Sequence, residues 1–214
     1  MGRIWASCFF LTLLWSSNAF PESAEWVTIG RDVHAFHEDT LRDQKILVEP
    51  AVTNDAAYFI QLLGIPNAGK INALRLQIRR SIGIKNAVGY TGDGYRTIVY
   101  DPVWAQSATA ASWLVLAHEA GHFFCGHDDL PQSPKIELEA DRFAGASIKR
   151  LEVYTTRRYF DDVMAAASNR YLSKASIFYP SRFERLAAIK DGYEHGSPCG
   201  NLAPVVQSWN GKPQ

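Results

Sequence analysis

The residues best placed to do chemistry lie in the run Leu116-Ala117-His118-Glu119-Ala120-Gly121-His122. Side chains four apart on a helix lie on the same face, so the imidazoles of His118 and His122 can reach one tetrahedral ion together. Glu119 follows the first of them. From there its carboxylate can face an attacking water without itself holding the ion, which is the arrangement of a general base. Gly121 costs a helix about 1 kcal/mol against alanine, a cost that makes sense where another backbone must come close.

Two histidines need a third partner. In the metzincin spacing a glycine and a histidine would stand seven and ten residues after His118, but Cys125 and Asp128 occupy those places, with Gly126 and His127 each one residue off. If the helix continued, His127 would point away from His122, so it reads as a surface histidine. The better partner lies in Ile136-Glu137-Leu138-Glu139-Ala140-Asp141-Arg142-Phe143-Ala144-Gly145. Glu137 and Asp141 share a helix face, and Glu139 points nearly the opposite way. Like charges at that spacing repel unless a cation sits against them. Glu137 is therefore assigned as the third ligand and Asp141 as the acceptor for a ligand histidine N–H. Small Ala140, Ala144 and Gly145 would let this helix approach the first. The plain alternative is an ordinary charged helix face.

Ala117-His118-Glu119-Ala120-Gly121-His122 followed by Glu137-Leu138-Glu139-Ala140-Asp141 resembles the gluzincin metallopeptidases grouped with HtpX and the CAAX prenyl proteases, over about residues 95–193. The short gap after His122 also resembles ImmA/IrrE-type peptidases. The resemblance implies a zincin-like fold, one Zn2+ per chain held by His118, His122 and Glu137, Glu119 as the catalytic base, and Asp141 behind the ligands. It also draws attention to Tyr179-Pro180-Ser181-Arg182-Phe183-Glu184-Arg185-Leu186, similar to a late family element in which a His-Pro pair opens the helix. Tyr179 stands where that histidine would be, and its phenol could donate to a developing oxyanion. The alternative is that Tyr179 packs under the site while Arg182 and Arg185 form surface ion pairs.

The elements that must hold these residues are partly legible. Residues 74–79 alternate apolar and polar with the period of a half-buried strand. Residues 87–90 and 95–100 flank Thr91-Gly92-Asp93-Gly94, a hairpin turn of residues that tolerate positive φ. Asp101-Pro102 closes this small antiparallel sheet, and strand 95–100 could pair with an extended substrate, as exposed edge strands do. Ser107 or Thr109 would cap a nearly apolar, hence buried, helix through Phe124 that Gly126 ends. Ser133-Pro134 opens the next, running to about Leu151. Thr155 or Thr156 and then Tyr179-Pro180-Ser181 open two more, and Thr53 or Asn54 would cap a short helix ended by Gly64 and Pro66. Residues 22–49 show no strong periodicity; His34 and His37 there read as solvated rather than as ligands. The fold class is α+β, zincin-like, with a small antiparallel sheet packed on the active-site helix and further helices.

A chain of 214 residues with 47% hydrophobic residues can bury one substantial core. Its 22 basic and 22 acidic residues balance, so no overall field draws it to nucleic acid or an anionic surface. Arg3, the apolar run from Ile4 to Trp15 and the small Ser17 and Ala19 read as a signal peptide rather than a span, and Cys8 has too little apolar sequence before it for a lipoprotein signal. The expected organisation is a leader at 1–19, an N-terminal extension of unclear structure at 20–50, a metallopeptidase domain at 51–195 and a tail at 196–214. Cleavage would export the protein to the periplasm or outside the cell, with no stable membrane span. Cys125 and Cys199 would then be left in an oxidising compartment, as a disulfide or as two separate thiols. The expected function is hydrolysis of a protein or peptide. A zinc-bearing chaperone-like or regulatory module, or a hydrolase of a non-peptide amide, are the competing readings.

Overall fold

The computed structural model describes residues 23–30, 34–35, 41, 43–52, 74–128, 130–196 and 199. The expected leader, the helix at 54–63 and His37 lie outside them. The order is β1 (Glu25–Thr28), β2 (His34–Ala35), β3 (Lys45–Pro50), β4 (Leu76–Arg80), β5 (Ala87–Gly92) and β6 (Tyr95–Tyr100), followed by α1 (Pro102–Ser107), α2 (Thr109–Phe124), α3 (Pro134–Thr155), α4 (Phe160–Arg170) and α5 (Arg182–His195). Among the described residues, no helix is long and apolar enough to cross a membrane.

The α+β class is as expected, but the sheet is not purely antiparallel. Its six strands run β1-β3-β4-β6-β5-β2, with β4 and β6 parallel and the other pairs antiparallel. The hairpin forms as read: Gly92 pairs with Tyr95, and Asp93 and Gly94 have φ of 48° and 77°, the two positive values of a tight two-residue turn. However, the chain leaving β4 skips one place, so β6 drops between β4 and β5. Strand 95–100 is thus interior and cannot accept a substrate strand. Residues 25–50, which carry no strong pattern, supply β1, β2 and β3.

The period of two divides the strands between two cores. Ile78, Ala87 and Ile98 face Leu114, Leu116, Phe123, Phe143 and Ile148 of the helices. Val88, Tyr90 and Val99 face the other way, against Val27, Ile46 and Val48. These last belong to strands that are not neighbours of β5 or β6, so the sheet curls to bring them together.

Asp101 closes the sheet as expected and also opens α1. Its Oδ1 accepts from the N–H groups of Val103 and Trp104 at 2.9 and 3.2 Å, and its Oδ2 from those of Gly83 and Lys85 at 2.9 and 3.1 Å. Burial opposes a charge on Asp101, but these four donors outweigh it and hold the carboxyl below its usual range. Neither Ser107 nor Thr109 caps α2; α1 runs straight into it through Ala108, which ends one helix and begins the other. Thr156 likewise does not open a helix. It ends α3 with a left-handed φ of 56°, and α4 starts after Tyr159, whose N–H and that of Phe160 bond Glu152 of α3 at 2.6 and 2.8 Å. Ser181 does open α5, through a reciprocal capping box with Glu184.

The helices cross where their side chains are smallest. A Cβ on Gly121 would lie 3.0 Å from the Cα of Ala140, so the close approach of α2 and α3 rests on these two residues. Gly145 was expected at that same crossing; instead it faces the backbone of Ile189 in α5. A disulfide joins Cys125, at the end of α2, to Cys199.

Candidate metal centre

Helix α2 is buried from Leu114 to Phe124, so its polar residues need partners inside the protein. Ligand atoms of His118, His122 and Glu137 lie within 4.8 Å of one another, all three residues buried, and could hold a metal ion. The two Nε2 atoms are 3.1 Å apart, and the Glu137 oxygens are 3.5 Å from His118 Nε2 and 3.7 Å from His122 Nε2. The first turn of α3 places Glu137 here, and one turn later Asp141 Oδ1 lies 2.9 Å from His118 Nδ1. Both residues are fully buried. The shared face expected of Glu137 and Asp141 is present, and it faces the imidazoles.

This donor set fits a cation. Asp141 takes the Nδ1–H of His118 and so leaves Nε2 as a lone pair. That lone pair faces a second ring nitrogen and a buried carboxylate, an arrangement that repels itself until a positive charge is placed between them. The electrostatics agree. Burial lowers the affinity of His118 for a proton, but Asp141 and then Glu137 outweigh it and push the imidazole up to about 9. Burial also opposes the charge on Asp141, yet Arg185 and His118 hold its carboxyl well below the usual range.

Several residues around the candidate ligands lie elsewhere than their sequence pattern suggests. Arg185 is not in a surface pair. It is 8% exposed, donates to both oxygens of Asp141 at 2.6 and 2.9 Å, lies 3.5 Å from Glu137, and stacks 3.8 Å over the ring of Tyr171. Tyr171 donates its phenolic O–H to Asp141 Oδ1 at 3.0 Å. Burial and Asp141 push this phenol above its usual range, so it remains a donor. Nothing local in the sequence marks Tyr171.

His127 is not a surface histidine either; it is fully buried. The helix stops rather than continuing past it. Gly126 turns left-handed at φ 74°, its N–H bonds Phe123 O, and the His127 N–H returns to His122 O at 2.9 Å. This is a Schellman ending, whose last residue folds back over the final turn. The signal was present in the sequence: a glycine directly after a helical ending, followed by a histidine. His127 Nδ1 lies 3.0 Å from His122 Nδ1, and its Nε2 lies 3.0 Å from Glu139 Oε2. Burial lowers the proton affinity of His127, against the pull of Glu139. Glu139, expected to point nearly opposite to Glu137, is 4% exposed and fills an interior place against His127.

Glu119 is buried, and its Oε2 accepts from the Gly89 N–H of β5 at 2.8 Å. A side chain on Gly89 would have its Cβ 2.9 Å from that oxygen, so the glycine lets the strand and Glu119 meet. Tyr179 is half-buried in the turn before α5, where its carbonyl accepts from the Ser176 N–H and its own N–H donates to Ser176 Oγ; the phenol seen against the acidic cluster is that of Tyr171. His34 lies in β2. No protein-family model, curated protein or solved structure matches this chain.

Proposed function

We propose that the protein is a zinc-dependent endopeptidase of the zincin type, with His118, His122 and Glu137 as ligands and Glu119 as general base. The observation that carries this reading is the convergence of two ring nitrogens and one carboxylate within 4.8 Å in a buried site, beside a buried glutamate held by a backbone N–H. Two nitrogens and one oxygen suit zinc and leave a position open for water. Zinc held there would supply Lewis acidity, to water and to a peptide carbonyl.

The chain's own residues account for the rest. Glu119 is the group to take a proton from water and pass it to the leaving amine, and the Gly89 N–H fixes where its carboxylate sits. Asp141, oriented by Arg185 and Tyr171, keeps His118 in the tautomer that offers Nε2. Tyr179 is the proposed donor to the oxyanion. The Cys125–Cys199 disulfide supports an exported protein, since such bonds persist in oxidising compartments.

The test is zinc analysis with a general protease assay on the wild type and Glu119→Gln. Near-stoichiometric zinc in both, with hydrolysis lost by about 100-fold or more in the variant, is the expected result. A wild type that takes zinc and cuts no protein or peptide would favour a binding module, and one that takes no zinc would end the metal reading.

A further inference from the structure

The two candidate ligand histidines are held differently. His118 meets a carboxylate directly, through Asp141. His122 meets another histidine, and the carboxylate stands one ring further out. Two Nδ1 atoms 3.0 Å apart form a hydrogen bond only if one carries the proton and the other a lone pair. Glu139 decides which. A carboxylate at 3.0 Å from His127 Nε2 calls for the proton on that nitrogen, and in a neutral ring this leaves His127 Nδ1 as an acceptor. His122 must then be the donor at Nδ1, and its Nε2, 3.1 Å from His118 Nε2, is the lone pair aimed at the metal position.

We propose that His127 and Glu139 are positioning residues that form a carboxylate–imidazole relay, committing His122 to the tautomer and ring orientation that bind a metal ion. The relay rests on the reading of His118, His122 and Glu137 as metal ligands. Its parts are rigid: His122 and His127 are fully buried and Glu139 is 4% exposed, the rings meet at 69° with centroids 5.2 Å apart, and the His127 backbone is pinned to His122 O. The exposed Lys135, 4.0 Å from the other oxygen of Glu139, adds little at that distance in water.

The test uses the full chain and zinc alone. Outer partners of ligand histidines typically govern metal affinity by about 10–100-fold. His127→Phe, which keeps a ring and removes the acceptor, should weaken zinc binding by about that factor. His127→Gln, whose amide oxygen can accept from His122 Nδ1–H, should recover most of it. Long-range proton–nitrogen NMR on the zinc-loaded wild type should show His127 protonated at Nε2 only and His122 at Nδ1 only; this measurement needs no variant to fold. Unchanged affinity in a folded His127→Phe, or a proton on His127 Nδ1, would overturn the relay while a zinc-binding wild type left the metal reading standing. A wild type that binds no zinc would overturn both.

Discussion

Replacing Gly145 by alanine puts a methyl carbon where another backbone already lies. Built on the present backbone, it would sit 1.9 Å from Ile189 O and 2.9 Å from Tyr193 N, where ordinary contact begins at 3.4 Å. The obstruction is main chain on both sides, so no rotamer change relieves it, and α3 and α5 must separate by roughly 1.5 Å. That separation stretches the bond between Asp141 on α3 and Arg185 on α5, now 2.6 Å, to about 4 Å. Overpacking alone costs about 1–3 kcal/mol, and loosening a buried ion pair raises the total to about 4 kcal/mol. For a chain of this size such a loss lowers Tm by about 8–16 °C. Calorimetry measures it directly. Gly192→Ala is the reciprocal case, since its Cβ would meet Arg142 O at 1.9 Å. The double variant should lose less than the sum of the two, because the first separation makes room for the second methyl. A Gly145→Ala protein with an unchanged Tm, or strictly additive losses, would refute the close crossing and with it the account of how Arg185 is held against Asp141.

Three further outcomes are expected. Glu137→Ala should weaken zinc binding more than Glu139→Ala, measured by competition with a chelator, because one removes a proposed ligand and the other a group proposed to act through His127 and His122. Tyr179→Phe should lower turnover by about 100-fold with zinc content and Tm unchanged if its phenol serves the oxyanion; wild-type turnover would make Tyr179 a structural residue. Asp101 should contribute to stability through its ionised form. Its folded pKa is depressed, so the contribution is full above the unfolded value of about 3.9 and is lost as pH falls through the lower folded value. Asp101→Asn should flatten that part of the stability–pH curve, and an unaltered slope in urea melts would show that the carboxylate does not supply it.

What this sequence determined by itself is local. The i, i+4 geometry of a helix makes His118 and His122 neighbours wherever the helix lies, and the same geometry puts Glu137 and Asp141 on one face. The two-residue turn at Asp93-Gly94 and the box at Ser181 and Glu184 are likewise settled within a few residues. The tertiary structure decided what lies across from them. Helix periodicity says nothing about a chain once the helix has ended: Gly126 marks the stop in the sequence, but the return of His127 over His122 depends on its left-handed turn. Gly145 could be read as small but not as facing α5, since a glycine names no partner. The place of β6 inside the sheet depends on which strand skips a position, which the alternation of side chains leaves open. Arg185 and Tyr171 come from segments 44 and 30 residues distant in sequence from Asp141, and only packing of α5 on α3 turns an arginine of ordinary surface composition into the buried partner of the site, because burying a guanidinium requires carboxylates already gathered from elsewhere in the chain.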